Sequence, residues 1–282
     1  MALSSSLLAE VDLERDTTEK KLTKIVLLAG SPSSKTGQHE YFAGCVLLAQ
    51  WLKQTPGVFP VMARDGWPKN EGIFQNAKAV VYYGDGGGKQ PFLDPANMKI
   101  LEKALANGAG LVLLHQAVDV PARDSEWLKK WSGGAFVSDI GCRGHWDMEF
   151  TDIGSHPILR GVKPFKLIND GWLYNVHFAD RGVTPLLSGQ VPDKSRTSKD
   201  AKAHLGRPEV MAWAFERPEG GRAFSFTGCD LHSNWAAESQ RKLVVNGILW
   251  SAGLAIPKEG APVEFNPDDL RHNLDDKTPA KK

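Results

Sequence analysis

KIVLLAGSPSSKTGQHEYFAGC, residues 24–45, carries the change of period that decides the fold. Its first seven residues are an unbroken aliphatic and β-branched run, as expected of a strand covered on both faces. After a polar link, Tyr41, Cys45, Leu48 and Leu52 fall at i, i+4, i+7 and i+11, one stripe of a helix. The alternation then recurs. VFPVMA (58–63), AVVYYG (79–84) and GLVLLH (110–115) read as further strands, and DPANMKILEKALANGAG as a helix started at Asp94 or Pro95 and stopped at Gly108. Such βαβ order implies an α/β fold with a parallel, doubly wound sheet. From about residue 145 shorter strands take over: HWDMEFTDI, FKLINDGWLYNVHF, VTPLLSG, EVMAWAFER and GRAFSFTG. Some of these would extend the sheet with antiparallel pairs. ESQRKLVVNGILWSAG (238–253) closes the domain as an amphipathic helix capped at Gly253.

At 282 residues the chain suffices for one large domain, and no internal repeat divides it. The expected organisation is a loose N-terminal arm (1–22), a domain over 23–257 and a Pro-, Asp- and Lys-rich tail (258–282) on the surface or disordered. A net charge of +1 shows no basic excess of the kind a nucleic-acid binder usually carries. No apolar run approaches the roughly 18 residues of a spanning helix. The N-terminus lacks the basic start and apolar core of a secretory signal. Three widely spaced cysteines, Cys45, Cys142 and Cys229, argue against a disulfide framework and a thiolate zinc site. A cytoplasmic protein is expected.

In an open parallel sheet, ligands bind beyond the carboxyl ends of the strands. The first strand ends in AGSPSSKTGQHE, the third in GDGGGKQP with Asp85, the fourth in LLHQAVDVP with His115, and GRAFSFTG in CDLHSNW. Four strand ends thus send His39, His115, His232, Asp85 and Asp230 toward one rim. Each has a plainer reading. Glu40 resembles half a capping box with Gly37 and could only start the helix. His39, in the first turn, would stay neutral beside the helix dipole, which suits a metal ligand, a base or a donor to a sugar oxygen. It equally suits an idle surface histidine, and His115 could be a hydrogen-bonded core histidine. The glycines of GDGGG lack P-loop and dinucleotide spacing, so they read as a tight turn that lets a ligand approach. Asp230 and His232, at i and i+2, would point the same way if extended. Trp172, Tyr174 and His177, with Asn234 and Trp235, could stack on and hydrogen-bond a sugar. His145 and His156 read as structural, and His204 and His272 have no claim.

Taken together, AGSPSSKTGQHEYFAGC, YYGDGGGKQPFL, GLVLLHQAV, HPILRGVKPF, the ND-W-Y segment (169–174) and EVMAWAFERPEGGRAFSFTGCDLHSNW resemble the ThuA-like family, named for trehalose utilisation. The resemblance covers about residues 24–257. It implies a flavodoxin-like three-layer sandwich, akin to class I glutamine amidotransferases, with a mainly parallel sheet and antiparallel additions in the C-terminal half. Glutaminase activity is not implied, because the strand end that would carry the nucleophilic cysteine holds His115 and Gln116. The resemblance also implies carbohydrate metabolism linked to 3-keto sugars, with His39, Glu40, Asp85, His115 and His232 matching family positions. Relatives often carry histidine where Ser34 and Asp230 stand.

Three readings follow. In the first, the chain is an enzyme that hydrolyses, eliminates or isomerises a keto-sugar or glycoside. His115 or His39 would be the base with Glu40 beside it, and Asp85, Trp172, Tyr174, His177, Asp230, Asn234 and Trp235 would hold the sugar. In the second it is a non-catalytic sugar-binding or regulatory module. In the third it is a metal-dependent hydrolase using a bound water. The cofactor stays open between none and a divalent ion such as zinc on His39, His115 and His232. A small carbohydrate is the expected partner, with no nucleic acid or membrane, and a homo-oligomer is left open.

Overall fold

The computed structural model describes residues 12–277. KIVLLAG forms β1 (Thr23–Ala29), and alternate residues of it face two different cores. Ile25, Leu27 and Ala29 join one buried cluster, while Val26 and Leu28 join the other. This period of two is what a sheet between two helical layers requires. The chain continues through α1 (Tyr41–Leu52), β2 (Val58–Ala63), β3 (Ala79–Tyr83), α2 (Pro95–Ala106), β4 (Gly110–Leu114) and α3 (Ser125–Ser132). Then come β5 (Gly134–Ala135), β6 (Cys142–Phe150), β7 (Phe165–Tyr174), β8 (His177–Phe178) and β9 (Val183–Gly189). Last are α4 (Lys199–Lys202), β10 (Glu209–Glu216), β11 (Arg222–Phe226) and α5 (Glu238–Ser251).

The main sheet has seven strands in the order β2-β1-β3-β4-β11-β10-β9. Its first five run parallel, and β10 and β9 are added antiparallel. Leu243 and Cys45 of α5 and α1 lie in one core cluster, and Leu101 and Leu128 of α2 and α3 in the other. The result is the expected flavodoxin-like three-layer sandwich, with its switch point between β1 and β3. β6 and β7 form a separate antiparallel ribbon rather than an extension of the sheet, and β5 pairs with β8 in another.

The stripe expected on α1 is too narrow. Every residue of this helix except Gln50 is buried, because the chain beyond α5 covers its outer face. There Phe265 packs on Trp51, and Gln54 exchanges two hydrogen bonds with the backbone of Glu264. The tail thus runs over the surface, but with Ala261, Val263 and Asp275 buried against the domain. In the arm, Leu13 bridges to Met62 at the edge of β2, and the Glu14 carboxylate accepts the Lys69 and Asn70 amides. Residues 1–11 and 278–282 of the arm and tail lie outside the described residues. Among the described residues no helix is long and apolar enough to cross a membrane.

Candidate metal centre

β1, β3, β4 and β11 are neighbours and parallel, so their carboxyl ends open on one edge. Two of the loops there are stitched together. The His39 amide donates to the Asp230 carbonyl (3.1 Å) and the His232 amide to the Gly37 carbonyl (2.9 Å), an antiparallel bridge centred on Gln38 and Leu231. Asp170 of β7 secures the same loop from beneath, its carboxylate accepting the Leu231 and Cys229 amides at 2.9 and 3.1 Å. Burial pushes this carboxyl up to about 7. Gly171 leaves room for the loop, since a Cβ there would meet the Asp230 carboxylate at 2.6 Å.

Both site histidines sit in left-handed backbone, His39 at φ 50° and His115 at φ 59°. For a side chain with a Cβ this conformation costs on the order of 1–3 kcal/mol, and such strain tends to collect at functional sites. His115 follows β4 directly, so the turn lifts its ring onto the strand edge.

There the side chains of His39, His115 and Asp230 meet. His39 Nε2 lies 3.2 Å from both His115 Nε2 and Asp230 Oδ1, and His115 Nε2 lies 3.7 Å from that oxygen. The networks behind them assign the protons. His115 Nδ1 faces the Thr227 carbonyl at 3.1 Å, which can only accept, so Nδ1 bears the hydrogen and Nε2 a lone pair. His39 Nδ1 faces Asp85 Oδ1 at 3.1 Å and Ser33 Oγ at 2.8 Å. Asp85 also accepts from Ser33 (2.9 Å), Tyr41 (2.7 Å) and Lys89 (2.8 Å). Despite the desolvation, hydrogen bonds from His39 and Lys89 hold its carboxyl well below the usual range. Nδ1 of His39 is therefore a donor, and with the proton there the neutral tautomer presents the Nε2 lone pair to the cluster. Burial draws His115 down to about 4 and keeps its ring neutral.

Three acceptor atoms thus converge, and Asp230 Oδ1 is buried with no donor. Lone pairs this close repel unless positive charge sits among them. Their separations bracket the edge of about 3.3 Å expected of a tetrahedron with bonds of about 2.0–2.1 Å. The residues present fit a divalent ion held by two imidazoles and a carboxylate, with positions left open for water or substrate. The Asp85–His39 and Thr227–His115 contacts are the supporting bonds such ligands need. Two more groups reach the far side of Asp230: Oδ2 lies 3.1 Å from Gln38 Nε2 and 2.7 Å from His145 Nε2. His145, read as structural, is half-exposed at the rim. Gln116 Nε2 stands 3.4 Å from His39 Nε2.

Other expected members lie elsewhere. Leu231 is extended but His232 begins a 3-10 turn, so the i, i+2 pair does not act as one. His232 turns toward Glu40 and Lys277, leaving Asp230 as the third member of the cluster. Glu40 is fully buried and holds the Gly37 and Asp275 amides at 2.8 and 2.9 Å, so it fastens chain instead of facing the cluster. Trp172, Tyr174 and Trp235 are core residues: Trp172 donates to the Trp146 carbonyl, Tyr174 pairs with Ser195, and Trp235 packs on Trp51 and Tyr83. No ring face there is open to a sugar. Asn234 ties down the Ile168 backbone through both amide atoms. His177 is exposed on the β5–β8 ribbon, opposite Ala135. The GDGGG turn does permit a close approach, but by the chain itself: Gly86 lies against the carbonyls of Gln116 and Asp119. Ser34 is exposed and bonds Gln38. His156 accepts the Ile158 amide. Cys45, Cys142 and Cys229 are buried and free.

The fold and the cluster define a flavodoxin-like α/β protein with a histidine–carboxylate site at the switch-point edge. Residues 32–251 match the family described as "ThuA: Trehalose utilisation", and the chain belongs to that family. Among solved structures it is similar to a ThuA-like protein of Parabacteroides merdae, at 15% identity over 88% of this chain and 99% of that one, with a TM-score of 0.61. A ThuA-like protein of Bacteroides uniformis is similar at 14% identity over 88% of this chain and 98% of its own, also with a TM-score of 0.61. No protein of curated function matches the sequence.

Proposed function

We propose that this protein is a metal-dependent enzyme of carbohydrate metabolism that acts on a keto-sugar or related glycoside. What carries the reading is the meeting of His39 Nε2, His115 Nε2 and the donorless Asp230 Oδ1 within ligand spacing. The family's link to trehalose utilisation supports a carbohydrate as substrate. A divalent ion there would polarise a ketone or bind the oxygen of its enolate. The chain's own groups supply the rest. Asp85 keeps His39 in the tautomer that presents Nε2, and Thr227 does the same for His115. His145 donates from Nε2 to Asp230, which leaves Nδ1, at the half-exposed rim, to take a proton from the carbon beside the ketone. Loss of that proton allows a leaving group at the β position to depart with the C–O electrons.

A second reading is favoured by one distance, the 3.2 Å from His39 Nε2 to Asp230 Oδ1, which also suits a proton shared between them. That would make a metal-free sugar-binding module. Elemental analysis of protein purified without added metal separates the two, with about one equivalent of a divalent metal expected. Turnover of a 3-keto glycoside, lost in His115→Ala and kept in His156→Ala, tests the chemistry. Metal-free protein with no such turnover would defeat the first reading.

A further inference from the structure

The segment beyond α5 brings Lys277 to the residues that flank His39. Lys277 carries its ammonium to the Gln38 carbonyl and to Glu40 Oε1, 3.1 Å away. Both side chains of that ion pair are almost wholly buried, at 4% and 0% exposure. The other Glu40 oxygen accepts the Asp275 amide, and the Asp275 carboxylate takes Arg64 at 2.7 Å. Farther back, Arg241 stacks on Phe265 at 4.4 Å and donates to the Val263 carbonyl. A buried carboxylate without a cation is costly, so Glu40 and Lys277 belong together.

Their place in the chain gives the pair its meaning. Gln38 and Glu40 flank His39, and one ammonium holds both. His39 stands in left-handed backbone, a conformation that persists only where its surroundings over-determine it. Gln38 also reaches Asp230 Oδ2 with its side chain. We infer that the C-terminal segment 258–277 is part of the site, and that Lys277 is a positioning residue which fixes His39 and Gln38 by bridging Gln38 and Glu40. The inference rests on the proposed metal centre in one of its two readouts and is independent of it in the other.

The test compares the full chain with Lys277→Met and Lys277→Arg. Cobalt(II) alone, titrated into metal-free protein, should bind Lys277→Met about tenfold or more weakly, within the range that supporting residues command, and with a changed visible absorption. Lys277→Arg, whose guanidinium can span the same two acceptors, should restore both. In the metal-free protein, long-range imidazole proton–nitrogen spectra should show His39 protonated on Nδ1 in wild type and Lys277→Arg, and averaged between nitrogens in Lys277→Met. Unchanged His39 signals in Lys277→Met overturn the inference whatever the cobalt affinity: loss of a nearby cation by itself favours a divalent ion, and a weaker affinity would then not arise through His39. Should wild type bind no cobalt, the metal-centre reading fails, and the imidazole spectra still decide the role of Lys277.

Discussion

His115 and His232 follow neighbouring parallel strands of one sheet, and both rings are buried. Burial draws each down to about 4, so each is held neutral. There the likeness ends. His115 has one nitrogen fixed by the Thr227 carbonyl and the other turned on His39 and Asp230. His232 lies beside Glu40, Lys277 and the Leu270 carbonyl, yet neither of its nitrogens has a partner in hydrogen-bonding geometry. A buried, neutral imidazole is thus not by itself a ligand. What distinguishes the site is a fixed proton on the outer nitrogen and a second and third acceptor facing the inner one.

The sharpest way to break this contrast is to remove one acceptor on each side. Asp230→Ala should lower affinity for a divalent metal by more than a hundredfold in a cobalt(II) titration, and His232→Ala should leave it within about threefold of wild type. The reverse ranking would make His232 the ligand and return the site to the arrangement expected from sequence. Asp85→Asn comes next. It keeps the shape but weakens the acceptor for His39 Nδ1, so affinity should fall about 10–100-fold, the usual effect of a supporting carboxylate.

Much of this was legible in the chain. The aliphatic runs of β1, β3 and β4 cannot be covered except between two layers, and their ends announced His39, Asp85 and His115. Other parts depend on pairings that no local pattern encodes. The clasp of Gln38 on Leu231 sets Asp230 inward and turns His232 away, where an extended reading aligned them. His145 reaches Asp230 only because the β6–β7 ribbon stands apart from the sheet. Trp172 and Tyr174 share one face of β7, and that face is core; aromatic content alone could not say whether the rings met sugar or protein.

The burial of His232 can also be tested by pH. A folded pKa near 4 against about 6.5 unfolded means that, below pH 6.5, the unfolded chain takes up a proton which the folded one refuses. The stability tied to His232 is therefore complete above about pH 6.5 and lost as pH falls toward 4. Buried Asp170, raised to about 7, acts in the opposite sense, so the quantity to follow is wild type minus His232→Gln. In urea unfolding of the metal-free proteins, this difference should be smaller at pH 4.5 than at pH 7, by on the order of 2 kcal/mol. A difference constant across that range would mean that burial does not hold the ring neutral.

The smallest effect concerns the aromatics, and it separates core from site most cleanly. Trp172 donates to the Trp146 carbonyl and packs on Phe150 and Phe226 at ring distances of 5.9 and 6.1 Å. Trp172→Phe keeps most of the apolar volume and loses the donor, so unfolding free energy should drop by about 1–2 kcal/mol, the usual cost of one unmet buried acceptor. Binding of a sugar ligand should not change, because the ring has no open face to offer. A variant with unaltered stability and a markedly raised KM would put Trp172 back at the substrate. It would also require the ribbon to part from the sheet in solution, since only then could its indole reach a ligand.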